Sequence, residues 1–153
     1  MSGDAAARNM NSARPATEPK PEESRVAIID GSNVAYSVEG MQPSLHNIEL
    51  VRSKVTEEGY EPIVVVDAAL RHHIDDVPAY ERMIDSGLLR QAPAGTDADY
   101  FILSFARELG ARIVSNDRFR DRGGAFPEAR DRIIRYMIVN DGVVLEHRTR
   151  RRD

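Results

Sequence analysis

Cysteine is absent from this 153-residue chain. Without it the chain can form neither disulfides nor cysteine-ligated zinc and iron–sulfur sites, and it has no thiol nucleophile. This absence is typical of proteins in a reducing compartment, and we expect a cytoplasmic location. The chain also has no run of roughly 18 apolar residues, as a membrane-spanning helix requires, and its N-terminus lacks the apolar core of a secretory signal. We therefore expect no membrane partner.

An overall excess of positive charge is missing as well. The formal net charge is −4 at pH 7, whereas proteins that bind nucleic acids usually carry a basic surface. The arginines are nevertheless unevenly distributed, because four of them crowd the C-terminus: Arg148, Arg150, Arg151 and Arg152. The first 24 residues are rich in Ala, Pro, Ser and Asn without a hydrophobic period, a composition typical of disorder. We expect a disordered tail over residues 1–24, a folded domain over 25–147 and a basic tail over 148–153.

Short apolar runs alternate with helical patterns along the folded domain. Buried strands are predicted at residues 25–29, 62–67 and 111–115. Helices are predicted at 45–58, 75–86, 97–109 and around 128–133, with a short extended segment at 88–93. Residues 136–139 and 143–146 flank Asn140-Asp141-Gly142 and predict a hairpin. This order favours an α/β fold with a mainly parallel central sheet, helices on both faces and the hairpin at one edge.

Acidic residues occur where a parallel sheet would gather them. Asp30, Asp67 and Asp117 each follow an apolar run, and ligands bind outside the carboxyl ends of the strands in such sheets. A further pair, Asp97 and Asp99, lies at the start of a predicted helix. If the strands are parallel, these carboxylates emerge at one edge of the sheet.

Each acid also has a purely structural interpretation. Asp30 followed by glycine is typical of a plain turn, and Thr96-x-x-Asp99 resembles a helix capping box. Asp67 can simply end its strand, so we expect it to support the site at most. The segment 115–121 is harder to explain in this way, because Asp117 and Asp121 would share a face of a helical turn and repel each other. The arginines between them offer an offsetting charge.

Converging carboxylates need compensation. Two such charges about 4 Å apart repel by roughly 4 kcal/mol at an effective dielectric of about 20. Shared protons or a divalent cation would relieve this repulsion. Because the candidate ligands are all oxygens and the four histidines have no metal-ligand spacing, the cation would be Mg²⁺, or alternatively Mn²⁺.

Three motifs follow one another along the chain: Asp-Gly-Ser-Asn-Val-Ala at residues 30–35, Asp-Ala-Asp-Tyr-Phe-Ile-Leu at 97–103 and Ser-Asn-Asp-Arg-Phe-Arg-Asp at 115–121. Together they closely resemble the NYN ribonuclease domain, the PIN-like nuclease domain of the CCCH zinc-finger endoribonucleases of the Regnase type. The resemblance covers roughly residues 25–147. It implies a three-layer PIN-like fold and a Mg²⁺-dependent endoribonuclease that acts on single-stranded or loop RNA.

The resemblance also implies roles for individual residues. The family's metal-binding and catalytic acids correspond to Asp30, Asp99, Asp117 and Asp121, and Asn33 lines the same site. The family often has an acid where this chain has Ala98, which makes Asp97 an additional candidate, and a CCCH zinc finger is absent. The expected RNA-binding residues, besides the basic tail, are Arg90, Arg118, Arg120 and Arg122.

Several alternatives stay open at this point. A PIN-like nuclease that acts on DNA would need the same acids, since no motif here selects the ribose 2′-hydroxyl. A catalytically inactive RNA-binding scaffold would keep the fold without the chemistry. A homodimer and a protein inhibitor, as in a toxin-like system, are both compatible with the same site. A nucleotide-binding module is disfavoured, because no glycine-rich phosphate loop follows the first strand.

Overall fold

The computed structural model describes residues 24–122 and 124–147. The expected basic tail, and all of the expected disordered tail except Ser24, lie outside the described residues. The strands are β1 (Val26–Asp30), β2 (Glu61–Val66), β3 (Leu89–Gln91), β4 (Arg112–Val114), β5 (Ile133–Val139) and β6 (Gly142–His147). The α-helices are α1 (Gly31–Ala35), α2 (Leu45–Glu57), α3 (Val77–Ser86) and α4 (Ala98–Leu109), and 3₁₀ turns cover Ala68–His72, Arg120–Arg122 and Pro127–Asp131.

The strands form one six-stranded sheet in the order β3-β2-β1-β4-β5-β6. All neighbouring pairs are parallel except β5 and β6, which form the predicted antiparallel hairpin at the edge. Asn140 and Asp141 turn this hairpin with positive φ angles of 49° and 66°, as a two-residue turn between twisted strands requires. The predicted α/β class, the mainly parallel sheet and the hairpin at its edge are confirmed.

Both faces of the sheet are covered, and alternating strand residues serve the two cores. Ala27 and Ile29 of β1 pack into a core with α1, α2 and α3, whereas Ile28 points into a second core with α4. The second core also contains Phe119 and Phe126, which anchor the irregular segment after β4. Burial on both faces explains why β1, β2 and β4 contain apolar runs without regular alternation.

Two local predictions differ from the structure. The helix expected around residues 128–133 is wrong: a 3₁₀ turn ends at Asp131, and Ile133 starts β5 by pairing with Ile113 of β4. The turn expected after Asp30 is instead the short helix α1, which runs very close to β2. A Cβ on Gly31 would lie 2.7 Å from a methyl group of Val66, so only glycine fits there.

The strand order reverses at β1 and β4, since β2 and β3 follow on one side and β5 and β6 on the other. Open α/β sheets bind ligands at the carboxyl ends of the strands where the order reverses. Asp30 ends β1, and Asp117 follows β4 at this position. None of the helices within the described part of the chain is long and apolar enough to span a membrane.

Candidate metal and catalytic site

Asp30 is a buried carboxylate at the junction of β1 and α1. Only 6% of its surface is exposed. Its Oδ2 accepts a hydrogen bond from the Ser115 hydroxyl at 2.9 Å, and its Oδ1 accepts the Asn33 backbone N–H at 3.4 Å, which caps α1. Burial raises the pKa of Asp30 from 3.8 to about 7, against the opposing effect of these hydrogen bonds. Nearby Asp99 and Asp117 raise it further.

Asp117 is held by the polypeptide turn that leaves β4. Its backbone N–H donates to the Ser115 hydroxyl at 3.0 Å, and its Oδ1 accepts the Phe119 backbone N–H at 2.7 Å. Ser115, fully buried, therefore contacts both Asp30 and Asp117. Ser115 is a site residue that was not predicted from the sequence, although its place at the end of an apolar run, two residues before Asp117, was a usable signal.

Asp99 enters the site from the first turn of α4. The side chain of Asp97 caps this helix by accepting the backbone N–H groups of Asp99 at 3.0 Å and Tyr100 at 3.4 Å. The cap is thus Asp97 rather than Thr96, one residue later than the capping-box pattern indicates. Partial burial raises the pKa of Asp99, and the negative charges of Asp117, Asp121 and Asp67 add to this effect.

The three carboxylates converge on one point. Asp30, Asp99 and Asp117 each offer an oxygen, and these oxygens all lie within 4.8 Å of one another. They line a cleft of ≈ 220 Å³ together with Ser32, Asn33, Tyr36, Asp67 and Ala98. Three carboxylates at this separation, one of them buried, fit a divalent cation with oxygen ligands.

Asn33 is oriented by a hydrogen-bond network that joins α1, the segment after β4, and β5. Its Oδ1 accepts the Tyr136 hydroxyl at 2.7 Å and the Asn116 backbone N–H at 3.1 Å. The side chain of Asn116 in turn pairs with both backbone polar groups of Tyr136. Burial raises the pKa of Tyr136, and its hydroxyl is a donor in this network. Because the Asn33 oxygen is occupied, its amide NH₂ group is what remains for a ligand in the cleft.

Three other predicted acids lie around the cluster rather than in it. Asp121 is exposed on the 3₁₀ turn Arg120–Arg122, close enough to raise the pKa of Asp99. Phe119 adopts a left-handed φ of 53°, so Asp117 and Asp121 do not share one helical turn. Asp97 forms an ion pair with Arg122 besides capping α4. Asp67 lines the cleft while its own side chain caps the 3₁₀ turn after β2.

The four predicted RNA-binding arginines are dispersed. Arg118 and Arg120 are exposed beside Asp117, where they line a second, larger groove. Arg122 is paired with Asp97. Arg90 lies on β3, with its guanidinium 5.9 Å from the centre of the Phe105 ring. Their roles stay predictions, but only Arg118 and Arg120 lie next to a carboxylate of the cluster.

Comparisons with known proteins find similarity to ribonucleases. The sequence model of the Zc3h12a-like ribonuclease NYN domain matches residues 23–153. The crystal structure of nuclear proteinaceous RNase P 2 (PRORP2) from A. thaliana is similar, with a TM-score of 0.63 and 25% identity, over 79% of this chain and 29% of that chain. A structure titled Arabidopsis thaliana nuclear protein-only RNase P 2 (PRORP2) gives a TM-score of 0.62 at 24% identity, with the same coverage. This chain therefore spans less than a third of those proteins. A search of curated proteins found no match.

Proposed function

The chain belongs to the Zc3h12a-like ribonuclease NYN domain family, and from this premise and the converging carboxylates we propose that it is a Mg²⁺-dependent endoribonuclease. The nuclease domain would extend over residues 25–147. The observation that carries the proposal is the trio of oxygens from Asp30, Asp99 and Asp117 within 4.8 Å of one another. Three carboxylates that come from distant parts of the chain repel one another at this separation, and this repulsion opposes folding unless a cation or a proton offsets it.

Asp30, Asp99 and Asp117 would hold the metal ion. When bound, a divalent cation would neutralise charge on the phosphate and lower the pKa of the attacking water. The buried Ser115 hydroxyl keeps the Asp30 carboxylate in place through its 2.9 Å hydrogen bond. This arrangement supports Mg²⁺, with Mn²⁺ as the other cation suited to oxygen ligands.

Two further residues would handle the substrate. The Asn33 amide NH₂, oriented by Tyr136 and Asn116, would donate to a non-bridging phosphate oxygen. Asp121, exposed near Asp99, would complete the acidic quartet and position the attacking water. Attack by water in line with the ribose 3′-oxygen would break the bond between phosphorus and that oxygen, which leaves as the 3′-hydroxyl and takes up a proton, so the products would carry 5′-phosphate and 3′-hydroxyl ends.

Single-stranded or loop RNA is the substrate that we propose. The family is a ribonuclease family, and the solved structure with 25% identity is titled an RNase P. Tyr36, 47% exposed, lies at the rim of the cleft. An exposed ring in this position can stack on an unpaired base, whereas the bases of a duplex are stacked on each other.

The test compares wild-type protein with Asp117→Asn in cleavage of a labelled single-stranded RNA, with Mg²⁺ and with EDTA. We expect Mg²⁺-dependent cleavage by the wild type and a loss of about 100-fold or more in the variant. Asp85→Asn is the matched control, because Asp85 is an exposed acid on α3. Equal rates for all three proteins in both conditions would refute the proposal.

Two further substrates separate the alternatives. A DNA oligonucleotide of the same sequence tests for a DNA nuclease, which would cleave it as fast as the RNA. An inactive scaffold would bind the RNA without cleaving it in either condition. A base-paired RNA should be cleaved more slowly than the single strand, if Tyr36 stacks on an unpaired base.

A further inference from the structure

A groove of ≈ 980 Å³ opens beside the acidic cleft, and Asp117 lines both. It runs between the irregular segments 118–122 and 124–130 on one side and the β5–β6 hairpin on the other. Four arginines line it, and we call it the arginine groove: Arg118, Arg120, Arg130 and Arg135. Arg118 and Arg120 belong to the acidic motif at residues 115–121, whereas Arg130 and Arg135 lie outside the motifs and have no sequence signal of their own.

The four guanidinium groups have no partner in the part of the chain that the structure describes. Within residues 24–122 and 124–147, none of them takes part in a hydrogen bond or an ion pair. The exposed Arg107, by contrast, is paired with Glu128. In a chain of net charge −4, four unpaired cations in one groove form a local region of positive potential that favours an anionic ligand.

The charges of the opposite sign in the groove are few. Asp117 lies at its junction with the cleft, and Glu146 lies on its β6 wall. Arg135 and Glu146 are directly opposite each other in the hairpin, yet they form no ion pair among the described residues. The groove therefore keeps a positive balance.

The arrangement of the arginines follows from the local backbone. Phe119 and Phe126 are each only 4% exposed and are anchored in the core beneath α4. The left-handed φ of 53° at Phe119 turns that ring inward and leaves Arg118 and Arg120 exposed on either side. Arg135 is on the same face of β5 as Ile133, by strand alternation. Fixed backbone thus presents arginines from two elements to one groove.

We propose that the arginine groove binds the phosphate backbone of the RNA strand next to the cleaved bond. The proposal rests on the proposed function, because the strand must pass from the three carboxylates over Asp117. Arginine suits this role, since its guanidinium binds phosphate oxygens in pairs. The groove would thereby give an acidic protein its affinity for a polyanion.

The test measures binding of a fluorescent single-stranded RNA of about twelve nucleotides by anisotropy, in EDTA, so that no cleavage occurs. The double variant Arg130→Gln with Arg135→Gln, which we call the groove variant, should weaken binding about tenfold or more. It should also reduce the slope of log affinity against log salt by about 1.4, which is about 0.7 for each phosphate that the protein no longer neutralises. The control double variant, Arg52→Gln with Arg82→Gln, removes equal charge from α2 and α3 and should bind like wild type.

A second variant has an effect of opposite sign, which misfolding cannot imitate. Glu146→Gln removes an acid from the groove wall and should strengthen RNA binding. Equal affinities for the groove variant, its control and the wild type would overturn the proposal, and so would weaker binding by Glu146→Gln.

Cleavage in Mg²⁺ separates this proposal from the proposed function. If the groove binds the flanking strand, the groove variant should raise KM about tenfold and leave kcat within about threefold. If wild type cleaves RNA and the groove variant has an unchanged KM, the proposal that the arginine groove binds RNA is wrong, whereas the proposed nuclease function is supported. If RNA binding depends on the arginine groove but wild type does not cleave RNA, the groove proposal is supported and the proposed nuclease function is wrong.

Discussion

Removing the charge of Asp30 should make the metal-free protein more stable. Asp30→Asn keeps the size of the side chain, and asparagine still caps a helix well. Asp30 is buried beside two other carboxylates, and its pKa is raised from 3.8 to about 7. A group that holds its proton more tightly in the folded state lowers stability as pH rises from about 4 to about 7. Above that range the full difference corresponds to about 4 kcal/mol.

We therefore expect Asp30→Asn to raise the free energy of unfolding by about 2–4 kcal/mol at pH 8 in EDTA, because some of the gain is lost with the Ser115 hydrogen bond. At pH 4 the unfolded chain also begins to bind the proton, so the two proteins should be nearly equally stable. Thermal unfolding should show a difference on the order of 10 °C at pH 8. Cleavage should be lost, because the charge that destabilises the metal-free protein is the charge that would bind the metal ion.

Asp76→Asn is the matched control. Asp76 also caps a helix through its carboxylate, which accepts the Ala79 backbone N–H, but it is exposed. Its substitution should leave stability nearly unchanged at both pH values. Adding Mg²⁺ should stabilise wild type more than Asp30→Asn, because binding to the folded state alone raises stability. If Asp30→Asn is less stable than wild type at pH 8 in EDTA, or if the difference does not grow with pH, the reasoning on buried charge is wrong.

Three further predictions concern residues that support the site. Gly31→Ala should lower the free energy of unfolding, measured in urea, by about 2–3 kcal/mol, because the new Cβ would lie 2.9 Å from the Val65 carbonyl oxygen. An unchanged urea concentration at the midpoint of unfolding would contradict this close approach. Asp97→Ala should cost about 1–2 kcal/mol through loss of the α4 cap, with cleavage within a few-fold of wild type. Abolished cleavage at unchanged stability would instead make Asp97 a member of the site. Tyr136→Phe should slow RNA cleavage about tenfold without unfolding the protein, since Asn33 loses the hydroxyl that orients it; equal rates would show that this hydrogen bond is dispensable.

Local pattern was enough to predict most of the elements. The apolar runs around Ile28, Val65 and Ile113 predicted β1, β2 and β4, because a strand covered on both faces consists of apolar residues throughout. The Asn140-Asp141-Gly142 turn predicted the edge hairpin. The segment after β4 was harder to predict from the sequence. Ile133 pairs with β4 and begins β5, although the local pattern around residues 128–133 favours a helix. Tertiary pairing overrides propensity in short segments of this kind.

The sequence by itself determined that Asp30 and Asp117 follow apolar strands and that Asp99 lies at the start of a helix, and the motifs around them were enough to name all three as candidates. Only the tertiary structure decided that these three converge while Asp97 becomes a helix cap paired with Arg122. The physical reason is the strand order. Residue periodicity shows which side chains are buried, but it does not show that β1 lies beside β4. That adjacency brings Ser115 to Asp30.

The same reason applies to the supporting residues. Tyr136 orients Asn33 from a strand far along the chain, and Arg135 faces the same groove as Arg118 only because β5 pairs with β4. Neither relation has a local signal, since each depends on which strands become neighbours when the chain buries its apolar surface. Side-chain chemistry is readable in the sequence, whereas the meeting of side chains from distant segments is a property of the folded sheet.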